Sequence, residues 1–300
     1  MRRMKNAGAL GALLLSMLIF GTVGIFRRYI PLPSGAVALA RGVIGTLFLV
    51  VLMAVRRRRP DFSALCRNWL WLLLSGACLG VNWILFFEAN LHTTVAAATV
   101  CYYMAPILVM VAAPLLLRER ITLKKGVCIA VAFVGLVLVS GIFEGASTRL
   151  KGNLFGLAAA CVYASIVLLN KQIKGVSVLD RTVAQLAVSA VVLLPYVLLT
   201  EPVFDTVPTL NTIWCLLLIG VLHTGVAYAL YFGAMGFLRA QTVALCSYID
   251  PAVAILCSAL FLREQIGLTG YLGAGLVLGA AAVGELGLPW KKKTNTQNAL

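Results

Sequence analysis

Nearly all the charge in this chain sits in short gaps between long apolar runs, a pattern that leaves few ways to fold. About 20 apolar residues in a row match the hydrocarbon thickness of a bilayer, and backbone crossing that layer must satisfy its own hydrogen bonds as helix. Ten such runs occur, at 7–26, 34–55, 69–90, 95–117 and 122–142, then at 151–170, 180–200, 211–233, 240–262 and 267–288. Only 12% of the 300 residues are charged, against about 25% in a soluble domain. The expectation is an all-α integral membrane protein with ten transmembrane helices. The opening MRRMK and its apolar run mimic a secretory signal, but with so many runs behind it the segment reads as a retained first span.

A net charge of +15 raises the question of nucleic acid, which the placement of the charges argues against. Arg2, Arg3, Lys5, the Arg56 to Arg59 run, the stretch from Arg118 to Lys125, that from Lys171 to Arg181, Arg239 and Lys291 to Lys293 all fall on one side of the alternating spans. The other side has Arg27, Arg28, Arg149, Lys151 and Arg263, partly offset by Glu144, Glu201, Asp205 and Glu264. The positive-inside rule makes the first side cytoplasmic, with both termini there, and locates the protein in the cytoplasmic membrane. The eight cysteines are scattered singly without metal-ligand spacing and read as small apolar fillers.

The chain also repeats itself. VAAATVCYYMAPILVMVAAPLLLRERITLKK at 95–125 lies over AQTVALCSYIDPAVAILCSALFLREQIGLTG at 240–270 without a gap. The pairs Cys101/Cys246, Tyr103/Tyr248, Pro106/Pro251, Arg118/Arg263 and Glu119/Glu264 coincide, all 145 positions apart, as do Gly80/Gly225 and Phe87/Phe232. Five helices per copy is an odd number, so the second copy must enter the membrane the other way up. Two inverted five-helix repeats around a central cavity follow, at 1–145 and 146–290, with a basic cytoplasmic tail at 291–300. Inverted repeats with a midplane site between them are common in secondary transporters.

This doubled order of a mid-helix proline and a later acidic residue, Pro106 with Glu119 and Pro251 with Glu264, resembles the EamA-domain branch of the drug/metabolite transporter superfamily, over nearly the whole chain. The resemblance implies a basket-like bundle and movement of small metabolites, often export of amino acids or related compounds.

Several residues stand out as candidates. Pro106 and Pro251 each deprive a carbonyl four residues earlier, that of Tyr102 or Ser247, of its donor, which makes them kinks for packing or hinges flooring the cavity. Asp250 lies about ten residues, roughly 15 Å, into its span, a costly depth for a carboxylate. Its counterpart is Ala105, so the scaffold does not demand it; it reads as a proton-binding carboxylate, a contact for a cationic amine, or a structural hydrogen bond. His223 is either a packing residue or a pH-responsive partner of Asp250. His223 and Tyr231 share a helix face, mirrored by Asn82 and Phe86 on the other repeat, and Trp83, Tyr102, Tyr103, Tyr228 and Tyr248 extend an aromatic cavity lining. Arg41 and Glu88 form a candidate pair at the outer mouth, as a gate or a site for a cargo carboxylate; both could snorkel instead. Glu119 and Glu264 read as interfacial anchors, and Gly126, Gly135, Gly273, Gly275 and Gly279 as close-contact positions, within the chain or in a homodimer.

These readings converge on a permease that works by alternating access, moving neutral or zwitterionic metabolites such as amino acids outward. The alternatives are a nucleotide-sugar or other metabolite carrier and a non-transporting sensor or assembly protein. No ATP-binding loop occurs, nor any H-E-x-x-H or G-x-S-x-G, so neither an ATP-driven pump nor an intramembrane hydrolase is expected. Cofactors and metals are not expected. The partners are a small-molecule substrate and the bilayer, with no nucleic acid.

Overall fold

The computed structural model describes residues 2–117, 123–139, 149–202, 208–235, 237–238, 243, 246–264 and 267–286. Every regular element among them is a helix. In chain order these are α1 (Arg2–Gly21), α2 (Val23–Arg28), α3 (Ser34–Val55), α4 (Phe62–Arg67), α5 (Trp69–His92), α6 (Val95–Tyr102), α7 (Ala105–Leu117) and α8 (Leu123–Val139). There follow α9 (Leu150–Asn170), α10 (Val178–Thr200), α11 (Leu210–Leu217), a π-helical segment (Leu218–Val226), α12 (Ala227–Met235), α13 (Ile249–Phe261) and α14 (Leu268–Leu286).

Six stretches are long and apolar enough to cross a membrane: Gly8–Arg28, Ser34–Val55, Trp69–His92, Leu150–Asn170, Val178–Thr200 and Leu210–Ala234. Four further apolar helices are shorter, Val95–Val109, Gly126–Val139, Ile249–Phe261 and Leu268–Val283. The outer surface carries large apolar side chains, with Val191 71% and Leu199 84% exposed. Such a coat would drive a soluble protein to associate and suits lipid contact. The protein is a multi-pass membrane protein.

α5 packs against α9 and α10, α3 against α10 and the π segment, α1 against α12 and α13, and α8 against α14. The two ends of the bundle are distinguished by their polar contacts. At one end Arg28 reaches the Thr93 carbonyl and Glu264, while Glu201 accepts from the amides of Gly35 and Ala36. At the other end Arg58 meets Ser177 and Asp180, and Asn68 bonds Lys174 through both its side-chain atoms. Gly152, in the first turn of α9, abuts Thr93 just after α5, so α9 begins at the end where α2 finishes.

Among the described residues, three runs that read as single spans are broken, the ninth at Tyr248. The first splits at Thr22, between α1 and α2. The fourth splits at Tyr103 and Met104, and Pro106 occupies the first turn of α7 instead of kinking a continuous helix. A ring that cannot donate is harmless in a first turn, where the amide has no helical partner in any case. Tyr248, the N-cap of α13, has φ −75° and ψ −4°, and Tyr103 has φ −72° and ψ 3°. The two breaks thus share one backbone geometry at positions 145 apart.

α8 and α14 cross at Gly135 and Gly273. A Cβ on Gly135 would lie 2.7 Å from the Gly273 carbonyl oxygen, and one on Gly273 would lie 2.5 Å from that of Gly135. Small residues let membrane helices approach until backbone meets backbone. Gly126, Gly275 and Gly279 face open space, so of the close-contact candidates only the Gly135 and Gly273 pair is used inside the chain. Gly135→Ala and Gly273→Ala are each expected to cost about 1–3 kcal/mol by overpacking, and Gly275→Ala and Gly279→Ala to stay within about 0.5 kcal/mol. Thermal unfolding of the detergent-solubilised variants separates the two pairs.

Candidate functional site

The helix breaks at Tyr103 and Tyr248 bring side chains of both halves of the sequence together in mid-bundle. The Tyr103 hydroxyl lies 2.9 Å from Asp250 Oδ2 and 3.1 Å from the Ser247 carbonyl oxygen. Ser247 stands just before α13, outside its hydrogen-bonded turns, and a side chain from the first half meets its carbonyl at that break. Asp250 is half-buried and stands in the first turn of α13. A carboxylate there is favoured by the helix dipole, which lowers the cost expected of it in the middle of a continuous span.

Aromatic rings wall this space. Tyr102 packs against Phe86 (centroids 4.8 Å apart), Tyr163 (5.4 Å) and Tyr103 (6.2 Å), and Tyr103 packs against Tyr248 (6.1 Å). Asn82 is buried, donates to the Ala159 carbonyl at 2.7 Å and lies 3.4 Å from the Tyr102 hydroxyl. It therefore ties α5 to α9 behind the wall.

Arg41 belongs to this site and not to an outer gate. Its Nε donates to Thr224 at 2.9 Å, its guanidinium lies over the Trp83 ring at 4.4 Å, and it hydrogen-bonds Tyr228. The charges of Arg41 and Asp250 act on each other across the site without an ion pair between them. The expected Arg41–Glu88 pair is not formed: Glu88 sits beside His92 at 3.6 Å, and its charge acts on Arg27. Arg41 reaches inward because Gly45, Gly220 and Gly225 let α3 close onto the π segment, where added Cβ atoms would strike Thr224, Ile44 and Phe48.

The π segment is itself a departure from the expected regular helix. Within it the Thr224 hydroxyl and the His223 ring both reach carbonyls five residues back, those of Ile219 and Leu218. Wide turns of this kind are frequent at functional sites. His223 does not meet Asp250. It is fully buried, with Nε2 2.9 Å from the Thr22 hydroxyl at the α1–α2 break and its ring edge-on to Phe26. Tyr231 packs on Phe20 and Phe232, away from Tyr103, and Tyr228 lies between Phe20 and Arg41. The contributions of Thr22, Tyr163 and Thr224 are not legible in the sequence, since none is a charged or doubled position, whereas the Ser247 carbonyl is marked by its spacing from Pro251.

At the end of the bundle that holds Arg28, Glu264 does more than anchor. Its carboxylate accepts from the amide of Val95 at 2.8 Å and pairs with Arg28 at 3.0 Å. Thr94 caps Ala97, so two amides of the first turn of α6 are occupied by side chains. Burial pushes the Glu264 carboxyl above its ordinary value, against the pull of Arg28 and the Val95 amide. Glu119 lies outside the described residues.

Paired breaks at mid-bundle, with opposite charges and rings gathered around them, define a membrane transporter. The chain belongs to the EamA-like transporter family, whose model matches residues 7–141 and again 150–283. It is 29% identical over 283 residues to the uncharacterized transporter YxxF of Bacillus subtilis, covering 93% of this chain and 90% of that protein. It is 26% identical over 311 residues to the uncharacterized inner membrane transporter YhbE of Escherichia coli (95% and 94% covered), and 25% identical over 256 residues to protein PecM of Dickeya dadantii (78% and 85%). One crystal structure matches with a TM-score of 0.64 at 18% identity, over 93% of this chain and 97% of its own, which is a likeness of fold.

In Glu264→Ala the amide of Val95 is expected to exchange hydrogen about tenfold faster, the loss of roughly one charge-assisted bond. The Thr94-capped amide of Ala97 should hold its rate.

Proposed function

We propose that this protein is a secondary transporter that exports small zwitterionic metabolites, amino acids or close relatives, by alternating access between two inverted five-helix repeats. The observation that carries the reading is a pair of opposite charges, Arg41 and Asp250, that act on each other among aromatic rings close to the helix breaks. A cargo bearing both a carboxylate and an ammonium group complements two such charges, and the nearby start of α7 adds the positive end of a helix dipole. Trp83, Phe86, Tyr102 and Tyr163 offer flat apolar surface to its side chain.

Exchanged contacts support the inverted repeats. Gly80 of α5 abuts Leu193 of α10, and Gly225 of the π segment abuts Phe48 of α3; a shift of 145 positions turns one contact into the other. On this reading all ten apolar runs cross the bilayer, the repeats occupy 1–145 and 146–290, and the end carrying Arg58 and Lys174 faces the cytoplasm. The name of the YhbE relative favours the inner membrane.

Efflux of a labelled amino-acid pool from proteoliposomes tests the proposal. Selective loss of one or a few compounds, reduced about tenfold or more in Arg41→Gln, is the expected result; no selective efflux from folded protein counts against an amino-acid cargo. Reporter tags after Lys151 and after Lys174 should lie on opposite sides of the membrane, and finding them on the same side would overturn the topology.

A further inference from the structure

Three oxygens stand in a row where the halves meet: the Ser247 carbonyl, the Tyr103 hydroxyl and Asp250 Oδ2, with spacings of 3.1 Å and 2.9 Å. The middle member has one proton to give. If Asp250 is ionised, that proton goes to the carboxylate, and the Ser247 carbonyl at the helix break loses the Tyr103 donor. If Asp250 is a carboxylic acid, its own O–H donates to the Tyr103 oxygen, and the Tyr103 O–H is released to the Ser247 carbonyl. Both contacts are then true hydrogen bonds. Only the acid form satisfies the whole row.

We propose that the Asp250–Tyr103–Ser247 row is a proton-binding site, and that transport exchanges one cargo molecule for one proton there. The idea rests on the transporter reading above and adds its energy source. An arriving ammonium group needs the carboxylate as an anion, so cargo and proton compete for Asp250. Losing the proton also turns the Tyr103 hydroxyl from Ser247 to Asp250, which withdraws a bond from the second break and makes occupancy felt by the backbone joining the halves. The bound proton leaves to one side of the membrane, and a proton from the other side restores the acid after the cargo has gone. Exchange of a zwitterion for a proton moves one positive charge per turn. The groups facing Asp250 are few: Tyr103 and Tyr102 on α6 and the adjoining break, and Arg41 on α3, the one charged group that acts on it. Its repeat counterpart is Ala105, so a single proton is expected per cycle.

Asp250→Asn is the informative variant because the amide copies the acid. Its NH2 donates to the Tyr103 oxygen, the row stays satisfied and the fold is kept, but no proton can leave. The primary experiment is infrared titration of purified protein with labelled aspartate. Wild type should show a protonated carboxyl band that disappears as the pH is raised, is absent in Asp250→Asn and changes position in Tyr103→Phe. No such band at any pH, or one unaffected by Asp250→Asn, overturns the proton site whatever the protein carries.

The second measurement is flux in proteoliposomes, using an amino acid found to be carried. With wild type, an imposed difference of one pH unit should drive uphill accumulation approaching about tenfold, the limit for one-to-one exchange without a membrane potential. Asp250→Asn, which lacks both the titrating group and the anion that receives the ammonium, should accumulate none. Downhill flux in wild type without uphill accumulation would refute the coupling and leave the transporter reading standing. Absence of flux for any amino acid would count against that cargo, while the infrared result still decides the proton site.

Discussion

Backbone polarity inside hydrocarbon is the constraint on which the rest of this structure depends. A carbonyl or amide left open there has no water to turn to, so each interruption of a helix must be answered by another part of the chain. Thr22, at the first break, meets the Ile19 carbonyl and the His223 ring. The Ser247 carbonyl at the last break meets Tyr103. At the last break the answering side chain comes from the opposite half of the sequence, and at the first the hydroxyl that answers the Ile19 carbonyl is itself met by a ring from the opposite half. The breaks therefore hold the halves together as well as weakening the helices that contain them.

The same principle governs the bundle end where α2 finishes. The starts of α3 and α6 are capped by Glu201 and Glu264, each donated from the second half to the first. Capping bonds of this kind are strong when made and costly when one partner is removed. Contacts made end-on at helix termini can be released by a small rotation, whereas the glycine crossing of α8 and α14, closed backbone to backbone, resists it. The bundle is thus held by one backbone-to-backbone seam and by several capped helix ends.

Much of this architecture can be read from the sequence because apolar length, gap charge and a repeat spacing of 145 are each set by single, strong physical demands. Asp250 and Tyr103 were legible for the same reason: one is an expensive charge, the other a doubled aromatic beside a proline. Arg41 was legible as important but misplaced. Counting turns from the helix end put it near the mouth, while glycines on the π segment draw α3 inward and bring its guanidinium to Thr224. His223 was misplaced because a regular 3.6-residue wheel was applied to Leu218–Val226, where bonds to carbonyls five residues back rotate the faces that follow. Neither error could have been avoided from local pattern, since both arise from packing between helices distant in sequence.

The duplication also explains where the specificity of the site resides. The copies agree at Tyr103 and Tyr248, at Pro106 and Pro251, and at the glycines that set helix spacing, which are the positions that fix geometry. They share the charged pairs Arg118/Arg263 and Glu119/Glu264 but disagree at the two charges of the candidate site: Asp250 faces Ala105 in the alignment of the repeats, and Arg41 faces Leu186, which is fully buried in the apolar core beside α3 and α5. Two charges symmetric in the fold would have produced like pairs that repel at the centre, an arrangement costly in a medium of low polarity. Placing one acid and one base, each in a single copy, yields a dipolar site inside a symmetric frame.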